Sequence, residues 1–196
     1  MRKLVYYIAV TLDGRIAGPA GEFDFFPQGD AQQTAAYMGF MNTLYPETVP
    51  TAFRAGAGVE GAPNRRFDTV LMGRATHQLD PSVPSPYAHL RQYVVSSTLK
   101  PDLDPAVTVV PGDPVGLVRD LKTEETGKDI WLCGGGKLAG ALLPEIDEIV
   151  LKSYPVVAGA GIPMVEGGFD PTVFSVAERT AFPNGVTATR LVRNRP

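Results

Sequence analysis

Asp129-Ile130-Trp131-Leu132-Cys133-Gly134-Gly135-Gly136-Lys137-Leu138-Ala139-Gly140-Ala141-Leu142-Leu143 is the stretch whose reading decides the fold. It divides into a short apolar strand, a glycine run, and a helix with Leu138 and Leu142 on one face. Glycines where a strand passes into a helix let a ligand approach bare backbone, and the helix N-terminus adds unpaired N–H groups and a partial positive charge. Phosphate is the expected guest. The same arrangement also serves merely to make a tight turn, so the choice rests on the rest of the chain.

Working outward, two further junctions have the same character. Thr69-Val70-Leu71-Met72 reads as a buried strand that runs into Gly73-Arg74-Ala75-Thr76-His77, where Gly73 permits close approach and Thr76 is a candidate helix cap. Arg74 places a planar, fixed cation there, and a guanidinium fork suits phosphate better than a lysine point charge. Gln92-Tyr93-Val94-Val95 is a third strand and ends in Ser96-Ser97-Thr98, three hydroxyls able to donate to phosphate oxygens. Each junction alone is a weak signal. A dinucleotide, with a pyrophosphate and a further phosphate, would use all three.

At the start of the chain, Leu4-Val5-Tyr6-Tyr7-Ile8-Ala9-Val10 is a near-continuous apolar run, as expected of a central strand covered on both faces. It leads into Thr11-Leu12-Asp13-Gly14-Arg15-Ile16-Ala17-Gly18, a turning loop placed where open α/β sheets bind ligands. Residues 31–45 read as a helix capped by Asp30, with Ala35, Met38 and Met41 or Asn42 turned inward and no acidic residue. Residues 46–66 are rich in Gly, Pro and Ala and give no defined element; Arg54, Arg65 and Arg66 there read as solvated loop residues sooner than anion ligands. A short strand at 107–110, a helix at 114–125 with Val115, Val118 and Leu121 inward, and a long strand within 146–157 follow. Gly159-Ala160-Gly161-Ile162-Pro163 reads as a loop. Asn184-Gly185 between alternating segments at 173–181 and 186–192 marks a closing hairpin. The expected fold is α/β: one domain with a mostly parallel central sheet, flanked by helices and closed by an antiparallel hairpin.

Composition narrows the function. A chain of 196 residues with 44% hydrophobic and 20% charged residues can fill one core. A formal net charge of −3 argues against nucleic acid or an anionic membrane as partner. The sequence holds no membrane-length apolar run and enters a strand at Leu4 without a signal segment, so a cytoplasmic protein is the expectation. A lone cysteine, Cys133, and two histidines leave little for a disulfide or a zinc site. A P-loop is excluded by Leu138 after Lys137, and Gly134, Gly136 and Gly140 only loosely approximate a Rossmann fingerprint.

The ordered set of segments resembles the dihydrofolate reductase superfamily, and within it the C-terminal reductase domain of the bifunctional riboflavin-biosynthesis deaminase/reductase. The residues that carry the resemblance are Ala9 to Ala17, Met72-Gly73-Arg74-Ala75-Thr76, Ser96-Ser97, Gly134-Gly135-Gly136 and Gly161-Ile162-Pro163. It implies a three-layer fold and an NADPH-dependent reductase acting on a small heterocycle, pterin- or aminopyrimidine-like. On that reading Gly73, Arg74, Ala75 and Thr76 hold the phosphates, while Ser96, Ser97 and Thr98 surround the 2′-phosphate and adenine. Cys133, Gly134, Gly135, Gly136, Lys137 and Leu138 line the pyrophosphate near the nicotinamide, with Gly134-Gly135 joined by a cis peptide. Ala9 and Ile16 belong to the segment that covers the nicotinamide. Asp13 becomes the candidate catalytic group, orienting the substrate or relaying a proton, and Asp24 and Tyr7 join it on the substrate side. The first helix lacks the carboxylate with which folate reductases orient a pterin, so dihydrofolate is not the expected substrate. The zinc deaminase half of the riboflavin enzyme is missing. The resemblance also implies a homodimer formed near the C-terminal hairpin. A nucleotide- or pterin-binding protein of the same fold without turnover is the alternative.

Overall fold

A computed structural model describes residues 1–100 and 104–194. Ten strands and four α-helices follow in the order β1 (Leu4–Val10), β2 (Arg15–Ala17), α1 (Ala31–Leu44), β3 (Phe67–Gly73), α2 (Arg74–His77), β4 (Arg91–Val95), β5 (Val107–Val110), α3 (Pro114–Thr123), β6 (Asp129–Gly134), α4 (Gly136–Ala141), β7 (Glu148–Ser153), β8 (Ile162–Pro163), β9 (Phe174–Ala181) and β10 (Thr187–Arg193). Eight strands make one sheet in the order β5-β4-β3-β6-β1-β7-β10-β9, and β2 pairs with β8 in a small separate ribbon. From β5 to β7 all neighbours are parallel; β10 and β9 add antiparallel to β7. The parallel sheet and the closing hairpin are therefore as the sequence predicts.

β1 lies between β6 and β7, with Val5 level with Trp131 on one side and Glu148 on the other. Its two sets of alternating side chains enter two different cores, which explains a strand apolar at almost every position. Val5 and Tyr7 join Tyr37 and Met41 of α1, Phe67, Trp131 and Val150. Leu4 and Tyr6 join Val118 and Leu121 of α3, Leu138 and Leu142 near α4, and Ile149. Helices thus cover both faces, making three layers.

Several expectations shift in detail. The helix at 31–45 ends at Leu44, and its inward face is Tyr37 and Met41; Ala35 and Met38 are exposed. Tyr37 sets that rotation by packing edge-on against Tyr154 and Phe182, aromatic contacts that a count of small apolar residues does not foresee. Asp30 caps α1 through a capping box with Gln33, as expected of an Asp before a helical run. The long strand expected at 146–157 is the shorter β7, Glu148–Ser153, and residues of the anticipated 159–163 loop form β8. In the hairpin, Gly185 has φ +81° and its N–H donates to Phe182 O, whereas Asn184 keeps a negative φ. The Asn-Gly pair therefore closes a type I turn followed by a left-handed glycine, and not the two-residue primed turn.

The segment 46–66 is ordered by buried polar struts. Glu47 is fully buried and accepts from the backbone N–H groups of Arg65, Arg66 and Phe67. Arg54 is buried too and donates to Pro46 O and Ala62 O, while Arg66 pairs with Glu148 and Asp129. Arg54 and Arg66 thus serve the fold; Arg54 is buried instead of solvated as expected, because its guanidinium satisfies the carbonyls of Pro46 and Ala62. At the amino edge of the sheet, Arg2 ties Asp68 of β3 to Glu124 after α3.

Candidate active site

The three junctions singled out in the sequence belong to β4, β3 and β6, and these strands are adjacent, with β1 beside them. Their carboxyl ends are level: Gly73 is paired with Val95 across to β4, and Met72 with Gly134 across to β6. Four strand ends side by side span about 14 Å, three spacings of the sheet. The Gly134–Gly135 peptide is cis, as the resemblance implied.

Backbone and small groups line the resulting trough. A Cβ placed on Gly73 would lie 3.6 Å from Gly134 O and 3.7 Å from Gly135 N. One placed on Gly135 would lie 3.7 Å from Ile16 Cδ1 and 3.8 Å from Thr76 Oγ1. Further along, Arg74 Nη1 donates to Thr98 Oγ1 at 2.7 Å, so the second and third junctions are in direct contact. One guanidinium nitrogen is occupied there, and the exposed Arg74 head keeps donors for an anion. Thr98, Arg74, Thr76, Gly73, Gly134-Gly135 and Ile16 thus form a continuous track of donors and bare backbone. These residues fit an extended dinucleotide: hydroxyls and a cation at one end, uncovered peptide in the middle, an apolar cover at the other.

Not every glycine of the deciding stretch faces this track. Where a Cβ would stand on Gly136, the Pro163 carbonyl of β8 is already in place, and at Gly140 the Glu166 carbonyl. Glu166 N–H also donates to Gly136 O. These two glycines let the segment after β8 pack onto α4, a contact between regions far apart in sequence. Packing therefore requires a glycine at 136, whatever its backbone N–H faces. Thr76 does not cap α2 either. That helix starts at Arg74 with Gly73 as its N-cap, which leaves the Thr76 hydroxyl beside Gly135.

The remaining candidates are distributed as follows. Ser96 is buried, and its Oγ accepts from Thr98 N–H and Leu99 N–H, so it shapes the turn while Ser97 and Thr98 stay exposed. Ala75 is exposed on α2. Lys137 points to solvent near Glu166, and Leu138 is buried under α4, so neither side chain lines the trough. Ala9 lies next to Lys152 of β7. Tyr7 is a core residue, packed on Tyr45 and Trp131. Burial, offset in part by a Thr48 hydrogen bond, raises its phenol pKa far above the ordinary value. Asp24 is exposed beside Phe25 and Phe26, which stack on each other, and Phe26 on Tyr154.

Asp13 proves to be a clamp. Its carboxylate accepts from Thr11 Oγ1, Ala158 N–H and Gly159 N–H, joining the loop after β1 to the loop after β7. The Thr11 hydrogen bond, then that from Ala158, hold its pKa down to about 2. A carboxylate so engaged stays ionised at neutral pH and has no proton to give. The proton-relay expectation for Asp13 does not fit this geometry.

Lys152, on the α1 face of the sheet, escaped sequence reading, and Cys133, expected beside the pyrophosphate, turns to that same face because alternation along β6 sends its side chain into the core. Cys133 of β6 shares a hydrogen bond with the Tyr87 hydroxyl, and burial pushes its thiol up to about 12. Lys152 of β7 stands with Nζ 4.1 Å above the Tyr7 ring centroid. Burial brings its ammonium down to about 8, with Cys133 acting weakly the other way. The signal that could have found it is a lysine alternating with Val150 and Tyr154, both buried, on the core face of a strand.

Comparison with known proteins settles the relationship. Residues 2–188 match the family described as the RibD C-terminal domain. The chain belongs to that family. It is 31% identical over 169 residues to the uncharacterized protein YwjB of Bacillus subtilis (strain 168), covering 83% of this chain and 82% of YwjB. A putative riboflavin biosynthesis protein from Shewanella sp. PV-4 superposes with a TM-score of 0.68 at 23% identity, covering 98% of this chain and 99% of that one. The Thermotoga maritima diaminohydroxyphosphoribosylaminopyrimidine deaminase/5-amino-6-(5-phosphoribosylamino)uracil reductase gives a TM-score of 0.63 at 15% identity, with 98% of this chain matched to 57% of it. RibD C-terminal domains fall within the dihydrofolate reductase-like superfamily, so the suspected fold and family both hold. Among the described residues, no helix is long and apolar enough to cross a membrane, and no group of three or more His, Cys, Asp or Glu could hold a metal ion.

Proposed function

We infer that this RibD-type domain is an NADPH-dependent reductase of a small heterocycle, pterin- or aminopyrimidine-like. The observation that carries the reading is the meeting of three strand-end turns, with Gly73 against the Gly134–Gly135 peptide and Arg74 bonded to Thr98. When bound, the coenzyme supplies a hydride. Thr76 and the bare peptides of Gly73 and Gly135 accommodate its pyrophosphate, and Arg74, Ser97 and Thr98 favour a 2′-phosphate. Ile16, carried on a loop that Asp13 holds closed, covers the nicotinamide end and excludes water. Family membership supports a reductase; the cation and hydroxyls at one end of the track support NADPH over NADH.

The test is a thermal-shift and fluorescence titration with NADPH, NADH and ADP, followed by NADPH oxidation with reducible pterins, 7,8-dihydropterin among them, and aminopyrimidines. Tight NADPH binding, weaker NADH binding and steady oxidation are expected. Absence of NADPH binding at millimolar concentration would refute the reading, and binding without turnover would mark a nucleotide-binding protein of this fold. We also propose that the chain forms a homodimer through the face made by α1 and the C-terminal hairpin. Met38, Phe40 and Leu44 are exposed there, and β9 is an edge strand. Sedimentation at micromolar concentration should give twice the mass of the chain.

A further inference from the structure

Lys152 occupies a position that packing alone does not account for. It lies on the α1 face of β7 between buried Val150 and Tyr154, and the residues level with it on the flanking strands are both alanines, Ala9 on β1 and Ala188 on β10. Its level neighbours on both sides are therefore single methyl groups, which do not wall in a long side chain. Among the described residues no acceptor hydrogen-bonds Nζ, and its one close partner is the Tyr7 ring. The ionisable groups nearby are the Cys133 thiol, the Tyr7 phenol and, behind these, the Tyr87, Tyr45 and Tyr154 phenols. Two carboxylates act on this cluster: Glu47, behind Tyr7 and committed to three backbone N–H groups, and Glu178, which with Arg66 and Arg190 acts on Tyr45. A cation–π contact contributes about 0.5–2 kcal/mol. Withdrawing an ammonium from water costs several kcal/mol, so that contact does not offset its burial. The three Nζ donors therefore have no acceptor among the described protein groups.

We propose that Lys152 is the substrate-contacting acid of this site, donating from Nζ to a ring carbonyl oxygen or imine nitrogen of the reducible heterocycle. The assignment rests on the reductase reading above. β7 is two strand spacings from β6, so the lysine lies about 10 Å across the sheet from the glycine pair, room for a flat ring between them. Hydride addition to the carbon of a C=N bond moves the π pair onto nitrogen. That nitrogen takes a proton from the Lys152 ammonium, and the neutral amine left behind is reprotonated from water. An ammonium brought down to about 8 gives up its proton near neutral pH more readily than a surface lysine.

The test is differential amine labelling of the NADP⁺-loaded protein with trinitrobenzenesulfonate, read peptide by peptide by mass spectrometry. Lys152 should label with a midpoint near pH 8, and 7,8-dihydropterin or 5,6-diaminouracil should slow that labelling at least tenfold while exposed Lys137 is unaffected. In thermal shift, K152M should keep the NADP⁺ response and lose at least tenfold in affinity for the same heterocycle, with K152R intermediate. Failure of Lys152 to label up to pH 10, or labelling that neither heterocycle slows, overturns the proposal. Loss of the NADP⁺ response in the unmodified protein is a separate result: it removes the reductase reading, and the assignment of Lys152 with it.

Discussion

Alanine at Gly140 and alanine at Gly73 make the same chemical change at two glycines that the sequence treats alike, with opposite consequences. In α4, replacing glycine gains up to about 1 kcal/mol of helix propensity. At Gly140, however, the added methyl would lie 2.6 Å from the Glu166 carbonyl carbon and 3.3 Å from Gly167 N, both backbone atoms that cannot rotate away. Restoring ordinary contact moves the segment after β8 by roughly 1 Å, an overpacking that costs about 1–3 kcal/mol. The Glu166 N–H to Gly136 O bond stretches with it, for about 1 kcal/mol more. A net loss of about 1–3 kcal/mol corresponds to a Tm lower by roughly 3–9 °C in a chain of this size. At Gly73 the same methyl meets its neighbours at 3.6 and 3.7 Å, ordinary contact, and φ is −79°. Tm should change by less than about 2 °C, while the methyl intrudes on the trough and weakens NADPH about tenfold, or 1.4 kcal/mol. Thermal melts with and without saturating NADPH measure both quantities, since a ligand raises Tm by mass action. A Gly140→Ala protein as stable as the parent, or a Gly73→Ala protein with its full NADPH response, would refute the division of these glycines into packing and ligand-facing sets.

Further expectations follow from single contacts. Asp13→Asn should weaken the clamp on the loop after β1 and remove an acid-sensitive component of stability. Because the folded pKa is depressed to about 2, that component is present above the unfolded value near 4 and is lost as pH falls through about 2. Acid melts of the two proteins between pH 5 and 2 check it, and an activity limb near neutral pH that vanishes in Asp13→Asn would contradict the clamp. Arg74→Ala should weaken NADPH about tenfold and NADH much less, by fluorescence titration; equal losses would mean the guanidinium does not read the 2′-phosphate. Glu47→Gln substitutes an amide donor where a carboxylate oxygen accepts from Arg65 N–H, and urea unfolding should show a loss of about 1–3 kcal/mol.

The sheet was legible because its strands are short apolar runs with turn residues between them, and β1, β3, β4 and β6 each end in a recognisable break. The cofactor track was legible for the same reason: glycine, arginine and hydroxyl residues at successive strand ends need only strand order to bring them together. What sequence could not show depends on which distant segment lands where. Gly136 and Gly140 look like part of a phosphate turn until β8 is seen against them. Asp13 looks like a catalytic acid until the N–H groups of Ala158 and Gly159 close on it, 145 and 146 residues away. Tyr37 turns α1 through aromatic partners in the C-terminal third of the chain. Lys152 was within reach, since a charge on the core face of a strand breaks the period-two pattern; reading 146–157 as one long strand, without assigning its faces, passed over it.

The β2–β8 ribbon has a consequence for how the site is entered. Leu12 N–H donates to Val156 O, Met164 N–H to Gly14 O, and Asp13 grips residues 158 and 159 from the other side. Two loops belonging to opposite ends of the chain are thereby stitched along their whole length, like a hem and not a hinge. Neither can swing out while its neighbour stays put, so admission of a guest requires both to shift as one body, or leaves both still and passes beside them. A cross-link between positions 14 and 164 would tell the two routes apart by whether uptake slows.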